Sequence, residues 1–139
     1  MGDAAWNDLL SAHNRVFRME LERFRGREIK SLGDGFLVLF DGPARAIRFS
    51  KAVSQAMHGL NLEIRVGVHV GEVTVANNDV HGIAVNVAAR VVNLAETGEI
   101  LVSRTVKDLI AGSGIELADR GVFELKGITE KWQLFGVKS

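Results

Sequence analysis

Residues 28–40, EIKSLGDGFLVLF, constrain this chain's fold more than any other stretch. Two apolar runs close on Gly33-Asp34-Gly35, and Asp-Gly between such runs is the strongest local signal for a tight β-hairpin. The turn by itself accounts for an Asp or an Asn at position 34. A carboxylate at a hairpin tip is also well placed to meet a ligand, and the stretch alone leaves both readings open.

Around the hairpin the pattern alternates between helix and strand. Residues from about Ala4 to Phe24 repeat apolar side chains at helical spacing, among them Trp6, Leu9, Leu10, Val16, Phe17 and Leu21, and Gly26 ends the helix. A second helix is expected from about Pro43 to His58, with Pro43 suited to its first turn. LEIRVGVHVGEVTV reads as one long β-branched strand, ANNDVHG as a polar loop and residues 83–95 as a third helix. GEILVS is a strand, RTVKDLIAG a short helix, and GIELADRG, VFELKG and WQLFGV are short strands. This order predicts a single α/β (α+β) domain over residues 1–139, a ferredoxin-like sheet with helices on one face.

The totals narrow the function. Seventeen Lys and Arg balance seventeen Asp and Glu, which argues against a nucleic-acid partner. The absence of cysteine excludes disulfides and thiolate metal sites, and a reducing, cytoplasmic setting is expected. No apolar run approaches the roughly 18 residues of a membrane span. The four histidines, His13, His58, His69 and His81, show no metal-ligand spacing.

GIAVNVAARVVNLAE, residues 82–96, is apolar almost all round except for Asn86, Arg90 and Asn93, which share one helix face. A helix of that kind is expected to be buried, with its polar line turned toward something specific. One reading pairs Arg90 with a core carboxylate and Asn86 with a loop carbonyl. The other presents an amide and a guanidinium together to a phosphate.

Taken in order and spacing, EIKSLGDGFLVLF, IRVGVHVGEV, DVHGIAVNVAAR, GEILVS and ELKGITEKWQLFGV resemble the catalytic domain of class III nucleotidyl cyclases, in a form similar to bacterial adenylyl cyclases. The resemblance runs from about Ala4 to the C-terminus and rests on the joint pattern Lys-x3-Asp, Arg-Val-Gly-x-His and Asp-x6-Asn-x3-Arg. It implies conversion of ATP to 3′,5′-cyclic AMP and pyrophosphate, with two divalent cations, Mg²⁺ or Mn²⁺. By position, Asp34 matches a metal-binding aspartate. Lys30 and Asp79 match the purine-reading pair, Asn86 and Arg90 the residues that orient the ribose and stabilise the transition-state phosphate. Arg65 and Lys126 match residues that hold the terminal phosphates. The chemistry of Lys30 and Asp79 suits adenine, whose N1 accepts from an ammonium and whose amine donates to a carboxylate. Guanine reverses both, at about 1–3 kcal/mol for each unmatched buried group.

The resemblance also implies sites shared between two subunits, with Asp34 and Arg65 from one and the remaining residues from the other, hence a homodimer. The family's first strand, with its second metal-binding aspartate, has no counterpart before the first helix, where Asp3 and Asp8 do not match it. The expected fold is therefore the class III cyclase fold with its N-terminal strand missing, a gap in the sheet, strand exchange between chains as one remedy, and weak or absent turnover. The alternative function is a catalytically dead nucleotide-binding and dimerisation module that regulates a partner. A diguanylate-cyclase-type domain and a ferredoxin-like RNA-binding domain fit less well, the latter for want of an aromatic-basic strand motif.

Overall fold

The computed structural model describes residues 3–32 and 35–138. Helix α1 (Asp3–Arg23) leads into a hairpin of β1 (Arg27–Leu32) and β2 (Gly35–Leu39), whose expected tip, with Gly33 and Asp34, lies outside the described residues. Then come α2 (Pro43–Gly59), β3 (Val66–Val68), β4 (Thr74–Ala76), β5 (Asp79–His81) and α3 (Ile83–Leu94). The chain finishes with β6 (Ile100–Ser103), α4 (Arg104–Leu109), β7 (Leu117–Glu124) and β8 (Lys131–Val137).

The central sheet has the order β3-β6-β8-β7, with β3 parallel to β6 and the other pairs antiparallel. The β1–β2 hairpin forms a separate ladder and is not hydrogen-bonded to β3 among the described residues. That matches the expected break in the sheet. Helix α2 bridges it: Phe49, Val53 and Met57 pack with Phe17 and Leu21 of α1 and against Phe36 and Val38 of β2, while Ile47 joins the core under β3.

Strand register shows helices on both faces of the central sheet, which corrects the expectation of one. Ile100 and Val102 of β6 and Phe135 of β8 point toward Ile47 of α2 and Val106 and Ile110 of α4. Their neighbours Leu101 and Leu134 point the other way, onto Val87 and Val91 of α3. Because side chains alternate across a strand, adjacent residues commit to opposite layers. All four residues of β6 are buried, as a strand covered on both faces requires.

Three further expectations change. The long strand over residues 62–75 is broken, with β3 and β4 separated by residues 69–73. The polar loop ANNDVHG is instead half of a hairpin: β4 and β5 pair Ala76 with Asp79, and Asn77 and Asn78 both take positive φ, 53° and 61°. Asn tolerates that left-handed conformation, and two such residues in succession form the type I′ turn that matches strand twist. At the other end, GIELADRG and VFELKG fuse into one strand, β7, with an irregularity between Asp119 and Gly121.

Candidate functional site

Lys30 and Asp79 are 49 residues apart and meet in space. The Lys30 ammonium lies 3.1 Å from Asp79 Oδ1 and donates to Oδ2 at 3.2 Å. Two local devices bring them together. An irregularity between Glu28 and Lys30 shifts the β1–β2 register, and a bulge of this kind re-aims the side chains that follow it. The Asn77-Asn78 turn then sets Asp79 at the start of β5, where Oδ1 also accepts the Val80 N–H at 2.8 Å.

The Val80 N–H and, next, the Lys30 ammonium hold the Asp79 carboxyl below the usual carboxylate range. His81 Nε2 lies 4.0 Å away and adds a weaker pull in the same direction. The pair is half exposed, with side-chain exposures of 44% and 33%, so it is open to a ligand. An ammonium donor and a fixed carboxylate acceptor side by side present the complement of a hydrogen-bonding edge with one acceptor and one donor.

Asn86 and Arg90 stand one turn apart on α3, as expected, but the helix is not buried all round. It buries Ala84, Val87 and Val91, while Asn86 and Asn93 are exposed and Arg90 is half-buried. Ile83 is 68% exposed and Leu94 lies at the edge of exposure. The single chain covers one stripe of a helix whose sequence is apolar on nearly every side. Among the described residues neither Asn86 nor Arg90 has a side-chain hydrogen bond or ion pair, so the reading that assigned them structural partners within the chain gains no support.

Arg65 is exposed just ahead of β3, and Lys126 is exposed in the turn that joins β7 to β8. There the Ile128 N–H donates to the Leu125 carbonyl at 2.9 Å and Gly127 has φ 82°, so Lys126 sits at the tip of a type II-like turn. Neither cation makes an ion pair among the described residues, and the structure does not join them to Lys30 and Asp79. Asp34, the expected metal ligand, lies outside the described residues. Among the described residues no group of three or more His, Cys, Asp or Glu side chains could hold a metal ion. No described helix is long and apolar enough to cross a membrane.

One polar pair went unassigned in the sequence. His69 Nδ1 lies 2.7 Å from Ser103 Oγ, and the ring meets Trp132 edge to face with centroids 5.1 Å apart. Nothing in the spacing of His69 and Ser103 announces the contact, since it depends on β3 and β6 lying parallel.

The family described as the adenylate and guanylate cyclase catalytic domain matches residues 4–138. A Rhizobium meliloti protein whose name contains the words adenylate cyclase is 35% identical over 113 residues, covering 75% of this chain and 19% of its own length. An uncharacterised Mycobacterium tuberculosis protein is 31% identical over 111 residues, covering 77% of this chain and 29% of its own length. The chain thus spans less than a third of these relatives. Among solved structures, the adenylate/guanylate cyclase/hydrolase from Silicibacter pomeroyi superposes with a TM-score of 0.87 at 26% identity, covering 100% of this chain and 88% of that one. The adenylyl cyclase CyaB from P. aeruginosa gives a TM-score of 0.87 at 24% identity, covering 100% and 85%, and supports the fold.

Proposed function

Because the chain belongs to the adenylate and guanylate cyclase catalytic domain family, we propose that it is an adenylyl cyclase module that binds ATP and directs its closure to 3′,5′-cyclic AMP. The observation that carries the choice of purine is the Lys30–Asp79 pair. The ammonium donates to adenine N1 and the carboxylate, held ionised, accepts from the exocyclic amine. Guanine would set donor against donor and acceptor against acceptor at the same two positions.

In the reaction the ribose 3′-oxygen bonds to the α-phosphorus, the bond to the β-phosphate oxygen breaks, and pyrophosphate leaves while the hydroxyl proton passes to solvent. Asn86 orients the ribose, and Arg90 neutralises the charge that grows on the α-phosphate. Arg65 and Lys126 hold the β- and γ-phosphates, Arg65 with its planar N–H fork and Lys126 as a point charge. The exposed outer face of α3, with Ile83, Asn86 and Leu94 uncovered, supports a homodimer in which a second copy supplies the rest of the site. The reading also carries two divalent cations. Asp34 would help to hold them, and such ions would neutralise charge on the triphosphate.

The alternative is a module that binds nucleotide and dimerises without turnover. Cyclic AMP formation from ATP and from GTP, with excess Mn²⁺ and beside Asn86→Ala, separates the two. Product from ATP in preference to GTP, lost in the variant, is expected. ATP binding without product would establish the second reading, and failure to bind ATP would remove both.

A further inference from the structure

His69 follows directly on β3 and points to the face of the sheet that α3 covers. Gly67, two residues earlier, faces Val92 of α3, and Ser103 and Leu134 lie on that same face. The imidazole therefore sits where three segments meet. Nδ1 bonds the Ser103 hydroxyl at 2.7 Å, at the end of β6. The ring packs edge to face on Trp132 of β8, which shares a core cluster with Leu125 and Ile128, the ends of the turn that bears Lys126. A Cβ on Gly71 would stand 3.9 Å from Nε2 and 2.8 Å from the Ala84 Cβ, so the glycine segment lies closely between the ring and the first turn of α3, just ahead of Asn86.

Ser103 is the polar partner of Nδ1. It is wholly buried, and its oxygen accepts the Val106 N–H at 3.4 Å as the N-cap of α4. Among the described residues the Ser103 hydroxyl has no hydrogen-bond acceptor other than Nδ1, and with the hydroxyl donating there His69 is a neutral imidazole with its proton on Nε2. A second proton would turn Nδ1 into a donor facing an oxygen whose own hydrogen has lost its acceptor. Burial lowers the His69 pKa and acts the same way. The charged groups nearest in sequence on the elements packed around it are Arg90 on α3, Arg104 and Lys107 on α4, and Lys131 on β8. None of them, and no carboxylate, makes a hydrogen bond or ion pair with it among the described residues.

The geometry points to His69 as a positioning residue for the proposed cyclase site: a neutral imidazole latched to Ser103, it ties the Lys126 turn and the first turn of α3 to the sheet, and the latch opens when the ring is protonated. This deepens the cyclase reading and rests on it for its consequence in catalysis, but the latch exists without nucleotide. The sign follows from the lowered pKa. The latch is complete above the ordinary imidazole pKa and is lost as pH falls through the lower folded value.

The test begins on the nucleotide-free chain, by ¹⁵N NMR of the imidazoles across a pH series, beside His69→Asn. Expected is a neutral Nε2–H ring that titrates below the ordinary imidazole pKa and shifts the Trp132 indole and Gly127 amide signals as it does so. In His69→Asn, whose side-chain oxygen can still accept from Ser103 but does not titrate, those shifts are absent. A proton on Nδ1, or a titration that leaves Trp132 and Gly127 unmoved, overturns the proposal. In the cyclase assay the wild type is then expected to lose activity about tenfold per pH unit below the His69 pKa, and His69→Asn to lack that fall. An identical acid limb in the variant overturns the coupling to catalysis. A wild type without activity at any pH counts against the cyclase reading alone, and the imidazole spectra still decide the latch.

Discussion

Asp79 is held by two donors of different kinds, and they answer to different changes. The Val80 N–H fixes the carboxylate's orientation through the backbone, whereas Lys30 comes from another ladder and can be exchanged for a base edge. Because both donors lower the pKa, the carboxylate stays ionised through the ordinary carboxylate range, and its contribution is lost only as pH falls below that range. Asp79→Asn keeps the shape but offers Lys30 no charge and presents an amide that can turn a donor toward the purine. ATP selectivity over GTP is expected to fall by about 1–3 kcal/mol, roughly 5- to 150-fold, read as the ratio of kcat/KM values. An unchanged ratio would remove Asp79 from purine recognition. The sequence could name Lys30 and Asp79 only through a family pattern. Their meeting depends on a bulge before Lys30 and a turn before Asp79, and Asn77-Asn78, which makes that turn, reads as mere loop until the positive φ of both residues is known.

At the scale of elements, α3 is set by a close approach rather than by large side chains. A Cβ on Gly67 would stand 2.6 Å from the Val92 nitrogen and 2.9 Å from its Cα, so the helix backbone lies directly on β3 at that point. Gly67→Ala must push α3 outward, and because backbone rather than a flexible side chain is in the way, overpacking should destabilise the fold by about 1–3 kcal/mol. Urea unfolding would show this as a lower midpoint. Since α3 carries Asn86 and Arg90, turnover should fall by more than stability predicts. A midpoint equal to wild type would mean that the helix is free to move. The pattern of apolar residues located the four described helices to within a few residues of their ends, although α1 buries only Phe17 and Leu21 and leaves Trp6 and Leu10 exposed. It misjudged how much of α3 is covered, since an apolar residue looks the same in sequence whether its own chain or a second copy is to bury it. Nor could it assign helices to the faces of the sheet, which follows from registers such as Leu101 with Gly136 and Val102 with Phe135.

Among the described residues there are three ladders, and helix α2 joins the β1–β2 hairpin to the four-stranded sheet. Leu101 and Leu134 at the centre of the four-stranded sheet are fully buried beneath α3, with Ile100, Val102 and Phe135 buried on the opposite face, whereas β2 has only half-buried residues and pairs on one side with β1. Helix α2 contributes to the cores of both parts, Ile47 to one and Phe49, Val53 and Met57 to the other. Among the described residues the polar tie between the hairpin and the site is the half-exposed Lys30–Asp79 pair, and exposed ion pairs contribute little to stability. Opening of the β1–β2 hairpin should therefore need less free energy than opening of β6 and β8, and the two parts should behave as separate cooperative units. Native-state hydrogen exchange reads this directly: amides of β6 and β8 are expected to exchange last, and those of β1 and β2 in an earlier common step. ATP, by engaging Lys30 and Asp79 together, should slow that earlier step while leaving the β6 and β8 amides nearly unchanged at low occupancy. One exchange free energy shared by both ladders would mean that the hairpin is held by more than α1, α2 and a single ion pair, and the break between β2 and β3 would then have no bearing on how the site is assembled.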